Sequence, residues 1–126
     1  MQGRLIDVLK LENGLTLELY DCSRPVAGDR WLVSFVARIE VEVKSDYFGV
    51  GESENVSFES IRAEVGDKAI FYYEKNRNFI EENEEDEIFE GLKERFLGAS
   101  LGYLSRPDFP RKLILREWEK IRGVYQ

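Results

Sequence analysis

Between Trp31 and Val43 the residues WLVSFVARIEVEV place an apolar group at every second position: Trp31, Val33, Phe35, Ala37, Ile39, Val41 and Val43. Beyond Val36 the alternate sites turn polar, with Arg38, Glu40 and Glu42. A period of two predicts a strand whose apolar row meets a core while the charged row faces water. A slip of one residue would bury three charges, so the register is strongly specified. At roughly 3.3 Å per residue the run spans about 43 Å, longer than most strands. A bulge or bend partway along is expected, with neighbours on both edges.

Upstream, Arg4–Leu11 and Leu15–Asp21 flank Glu12, Asn13 and Gly14, which predicts a hairpin. A two-residue turn would set Glu12 against Leu15 and Lys10 against Leu17, mixing charge with apolar groups. A three-residue loop instead sets Leu11 against Leu15 and Leu9 against Leu17, with Gly14 left-handed. The run Cys22–Arg30 reads as a structured turn, with Pro25 and Gly28 as punctuation and Asp21, Ser23 and Asp29 as backbone-bonding side chains. The long strand then completes a three-stranded meander.

Lys44–Asn55 reads as a surface loop in which Tyr47, Phe48 and Val50 either fold back on the core or form a contact patch. Phe58, Ile61 and Val65 at helical spacing predict a short helix, capped by Ser57 and ended by Gly66. Ala69–Lys75 and Asn78–Ile80 read as strand around a turn-like Asn76, either a second hairpin or one irregular strand. Six of the seven residues from Glu81 to Glu87 are acidic, and Ile88, Phe89, Leu92, Phe96 and Ala99 follow at helical spacing. A helix starts there, its first-turn carboxylates matched to the helix dipole, and Gly98 and Gly102 leave its end open. After Pro107, Asp108 and Pro110 open a final helix with Ile114, Trp118, Ile121 and Tyr125 as its apolar stripe and a basic polar surface.

These elements predict a single α+β domain over residues 1–126. Its mostly antiparallel sheet combines the amino-terminal meander with a later strand or hairpin, packed on one face by carboxy-terminal helices. A length of 126 residues, with 43% hydrophobic and 13% aromatic residues, suffices for one real core. No apolar run reaches bilayer length, the start MQGRLIDVLK lacks the apolar centre of a signal peptide, and Cys22 stands alone. The expectation is a cytoplasmic protein with no membrane partner.

A formal net charge of −7 disfavours nucleic acid, whose binding needs a basic surface that releases counterions. Histidine is absent, which removes Ser-His and Cys-His dyads and His-containing zinc sites. The acidic run lacks the spacing and central glycine of a calcium loop, and reads as a solvated helix start or as a counter-charge to the final helix. Neither a metal nor a cofactor is expected.

Ser23, Arg24, Gly28, Asp29 and Arg30 form the candidate ligand-binding segment, since two arginines beside a Pro and a Gly could present guanidinium groups and amides to a carboxylate or phosphate. The structural alternative pairs Arg24 with Asp21 or Asp29. Cys22 is a candidate nucleophile if nearby arginines lower its pKa, against the alternative of a small half-buried side chain. Alternation sends Tyr72 to the face opposite Phe71 and Tyr73, toward a surface or a partner.

Asp21-Cys22-Ser23 resembles the opening of the D/N-x-S-x-x-G motif of PilZ domains, bacterial cyclic-dinucleotide sensors that pair it with an R-x-x-x-R arm. Here Gly28 falls two positions late and Arg4 is the only arginine upstream. A longer part of the chain, including SRPVAGDRW and YLSRPDFPRKLIL, resembles a family of conserved bacterial proteins without an assigned activity, which implies a shared fold. Three functional expectations follow. The leading one is a non-catalytic domain that binds a protein partner or itself and shows an exposed apolar patch. The second is a sensor of a small anionic, nucleotide-like ligand with a pocket beside Arg24 and Arg30. The third is an unusual enzyme using carboxylates or Cys22.

Overall fold

The computed structural model describes residues 3–48 and 57–123. Among them are five strands, β1 (Arg4–Lys10), β2 (Thr16–Asp21), β3 (Arg24–Ala27), β4 (Arg30–Glu42) and β5 (Lys68–Glu81). Three helices accompany them, α1 (Phe58–Val65), α2 (Glu85–Leu104) and α3 (Phe109–Ile121). The fold is α+β, an antiparallel sheet packed against helices on one face.

The long alternating segment is the centre of the sheet. β5 pairs with it from Glu42↔Lys68 to Arg30↔Glu81. Its other edge carries β2 (Leu17↔Ile39 to Asp21↔Phe35) and then β3 (Arg24↔Leu32), both antiparallel to it. β2 and β3 are therefore one row broken at Cys22 and Ser23. The Cys22 N–H donates to the Ser34 carbonyl at 2.9 Å, and the Ser34 N–H donates to Ser23 Oγ at 3.0 Å, so a side-chain hydroxyl carries the ladder across the break. The segment read as a turn is thus a short strand plus a tight turn at Gly28 and Asp29, Gly28 having φ +57°.

The first hairpin has the predicted register. Leu9 faces Leu17, the Leu11 N–H donates to the Leu15 carbonyl at 2.9 Å, and Gly14 has φ +90°. Its loop also has a tertiary role. Asn13 Nδ2 donates to the carbonyls of Leu104 and Arg106, both at 2.8 Å, while its Oδ1 accepts from the Leu15 N–H. One hairpin side chain thereby satisfies the Leu104 carbonyl at the end of α2 and joins the Phe109 N–H on the Arg106 carbonyl of the following turn.

Val33, Phe35, Ala37, Ile39, Val41 and Val43 are buried on the helix-covered face with Leu17 and Leu19. Phe35 lies at the centre, its ring 5.4 Å from Phe96, 5.9 Å from Phe89 and 6.2 Å from Tyr73. Tyr47 and Phe48 fold back against this core after a single 3-10 turn, whereas Val50 lies outside the described residues. α1 has the expected ends: Ser57 accepts from the Ser60 N–H, and Gly66 has φ +98°.

β5 is one irregular strand, so Asn76 is ladder and not turn. α2 runs through Gly98 and Gly102 to Leu104, because Phe89, Leu92, Phe96 and Leu104 bury one stripe while both glycines face solvent. Each glycine costs roughly 1 kcal/mol relative to alanine, a smaller term than the burial of those four side chains. Ala99, grouped with the stripe by spacing, is exposed. At α3, Asp108 is the cap residue without capping through its side chain, which instead holds Arg106 and Lys112. Ile114 is buried and Trp118 packs against the core, but Ile121 is exposed, and Tyr125 lies outside the described residues.

Candidate functional site

No described helix covers the second face of the sheet, so its rows can be read from the pairing. Leu5, Tyr20, Val36 and Glu74 form one row across β1, β2, β4 and β5. Val8, Glu18, Arg38 and Tyr72 form the next. Leu5, Val8 and Tyr72 are about half exposed, whereas Val36 is shielded by its neighbours. The predicted opposition holds here: Phe71 and Tyr73 pack on the core and Tyr72 faces outward.

The polar groups of this face are tied to one another. Glu18 accepts from Tyr20 Oη at 3.1 Å and from Arg38 Nη1 at 3.2 Å, and Arg38 also reaches Glu40 at 3.6 Å. Lys68 pairs with Glu40, and this bond holds the Glu40 carboxyl below and the Lys68 ammonium above their ordinary pKa values. Glu74 accepts from Tyr72 Oη at 2.7 Å and from Asn76 Nδ2 at 2.9 Å. Those two bonds lower the Glu74 pKa, while the carboxylate pushes the Tyr72 phenol up to about 12.

Cys22 lies under this network, 8% exposed, with the backbone of Gly3 so close that any side chain there would collide with its sulfur. Burial first, then the carboxylates of Glu74 and Asp21, push its thiol pKa up. Arg24 acts in the opposite direction but is outweighed. The shift disfavours the thiolate, as for a buried structural cysteine.

The segment Ser23–Arg30 splits into separate roles. Ser23 bridges the sheet, its N–H held by Asp21 Oδ1 at 2.9 Å. Asp21 pairs with Arg4 at 3.4 Å, and Arg30 pairs with Glu81 at 3.1 Å and with Asp29 at 4.0 Å. Arg24 takes neither Asp21 nor Asp29, and among the described residues it makes no ion pair. A cavity of about 590 Å³ opens between the end of β4, the start of β5 and α1, lined by Glu42, Lys44, Phe58, Arg62 and the Glu40–Lys68 pair. Another, of about 410 Å³, lies between the first hairpin and the end of α2. Ser23, Arg24, Gly28, Asp29 and Arg30 line neither.

The acidic run divides among the last residue of β5, a 3-10 turn (Glu82–Glu84) and the start of α2. The Glu85 carboxyl is pushed up to about 7, first by burial and then by its hydrogen bond to Asp86 and the charges of Asp86 and Asp21. Three cations in and just beyond the last helix have other partners: Lys112 with Asp108, Lys120 with Glu117, and Arg122 with Glu64. Among the described residues no group of three or more acidic or cysteine side chains is placed to hold a metal ion, and no helix is long and apolar enough to cross a membrane. No family model, curated protein or solved structure matches the chain.

The open face as a unit escapes sequence reading. Alternation marks Tyr72 as outward-facing and the predicted hairpin register sets Val8 beside Glu18, but only the structure places Leu5 beside Tyr20, across a bulge, and continues both rows onto β4 and β5.

Proposed function

We propose that this chain is a non-catalytic association domain that binds another protein across the open face of its sheet. The observation that carries this reading is the half-exposed set Leu5, Val8 and Tyr72 on a face that no described helix covers. Exposed apolar and aromatic side chains interspersed with paired polar groups, here Glu18 and Arg38 between Val8 and Tyr72, have the composition of a recognition surface. The polar groups of the face are engaged with one another, Glu18, Arg38, Glu40 and Lys68 in ion pairs and Glu74 as acceptor from Tyr72 and Asn76, which suits a recognition surface better than a reaction centre.

The test uses the wild-type chain and the Val8→Lys/Tyr72→Ala double variant as baits, with thermal melts to establish that both fold. A protein retained by the wild type and bound at least about tenfold more weakly by the variant is the expected result. Equal retention by the two baits, or no retained protein, overturns the proposal.

A further inference from the structure

Phe79 is the only described non-glycine residue with a positive φ, +57°. The cause lies in the register. Trp31 pairs with Ile80 but Val33 pairs with Arg77, so β5 carries one residue more than β4 over this stretch. A bulge that needs the left-handed region favours glycine, and a bulky side chain there is a steric outlier. This chain nevertheless holds a phenylalanine in that conformation, and the residue is 71% exposed. On the opposite edge of the same β4 segment, β3 also has an extra residue: Pro25 pairs with Trp31 and Ala27 with Arg30, leaving Val26 unpaired and about half exposed. Two bulges thus flank Arg30–Leu32, and each presents an apolar side chain to solvent.

Neither side chain belongs to the core. The strained backbone at Phe79 gains no burial within the molecule, and residues kept in such conformations cluster where a surface binds something. The charges around it indicate what. Lys75 and Arg77, just before Phe79, are exposed and make no ion pair among the described residues. Glu82, Glu84 and Glu87, just after it, are likewise exposed and unpaired there. An apolar anchor with cations on one side and anions on the other is complementary to its own copy turned through a two-fold axis, the symmetry of most homodimers.

We infer that two copies of this chain dock through the Phe79 end of the sheet. Phe79 and Val26 form the centre of the contact, and Lys75 and Arg77 of each copy face Glu82 and Glu84 of the other. This surface is distinct from the open face proposed to bind a different protein.

The experiment is sedimentation equilibrium of the full chain from low micromolar to several hundred micromolar. The wild-type mass rises from 14.7 kDa toward twice that value. Phe79→Gly, which relaxes the backbone, weakens association at least about tenfold while melting no lower than the wild type. Phe79→Asn, a residue that tolerates the left-handed region, does the same and serves if the glycine variant folds poorly. Lys75→Glu/Arg77→Glu and Glu82→Lys/Glu84→Lys are each monomeric alone, and mixing them restores the dimer. A wild type that stays at 14.7 kDa throughout, a Phe79→Gly variant that assembles like the wild type, or charge variants indifferent to mixing each overturn the inference. A monomeric wild type that still captures a protein through Val8 and Tyr72 would remove this inference and leave the open-face reading standing.

Discussion

Replacing Ser23 with alanine tests how the sheet is closed across its broken row. The Ser34 N–H belongs to the central strand, in a residue 2% exposed, and its hydrogen-bond partner is Ser23 Oγ at 3.0 Å. Just before the break Asp21 pairs with Phe35, and just after it Arg24 pairs with Leu32. Ser23→Ala deletes one oxygen, opens almost no cavity and leaves a buried donor without an acceptor. The cost is that of desolvating an unsatisfied amide, about 1–3 kcal/mol, against a net stability of roughly 5–15 kcal/mol for a domain. Urea unfolding reads this as a lower midpoint with an unchanged slope, and thermal melts as a fall of roughly 4–12 °C. Hydrogen exchange localises it, because the Ser34 amide should lose protection before its neighbours do. Ser23→Thr keeps the hydroxyl and should retain most of the stability. A loss below about 0.5 kcal/mol, within the range of ordinary surface substitutions, would show that the hydroxyl is not the ladder partner and refute the reasoning.

Asn13→Ala removes two bonds from Nδ2 to the carbonyls of Leu104 and Arg106 and one bond to Oδ1. At about 1 kcal/mol each, the expected loss is roughly 2–3 kcal/mol by urea unfolding, with fraying of the end of α2 visible in hydrogen exchange; a neutral substitution would dismiss the hairpin as a helix cap. Glu85 makes stability pH-dependent, because the folded state holds its proton up to about 7 while the unfolded chain releases it near the ordinary value of 4.5. Folding therefore takes up a proton across that window, so this group's contribution falls as pH rises from about 4.5 to about 7 and is constant above it. Melts of Glu85→Gln should exceed wild type at pH values above the window and converge with it below, and a difference that is constant with pH rejects the assignment.

Much of the fold was legible because it rests on local rules. Alternation identifies Trp31–Val43 as a half-buried strand, since a slip of one residue would bury Arg38, Glu40 and Glu42. The loop at Glu12–Gly14 follows from matching leucine to leucine across the hairpin. Ser57 and Gly66 delimit α1 through capping and a left-handed terminus, requirements met within a few residues. The outward turn of Tyr72 needs only the pleat.

Tertiary structure decided the rest. Pro25 and Gly28 are turn signals, yet Arg24–Ala27 is a strand, because β4 extends beyond β2 and offers an unfilled edge there. Asn76 would be expected to interrupt β5, but pairing along the whole of β4 holds it continuous and places the irregularity in one bulge, at Phe79. Gly98 and Gly102 would end an isolated helix, and a buried stripe from Phe89 to Leu104 overrides them. The candidate surfaces were the least legible part. Tyr72 lies far from the first hairpin in the chain and joins Leu5, Val8 and Tyr20 on one face only through pairing across β4, and Phe79 stands out only once its φ and exposure are known. Local sequence governs backbone preference and which face each side chain takes, whereas juxtaposition across strands depends on contacts between distant residues, which no local pattern encodes.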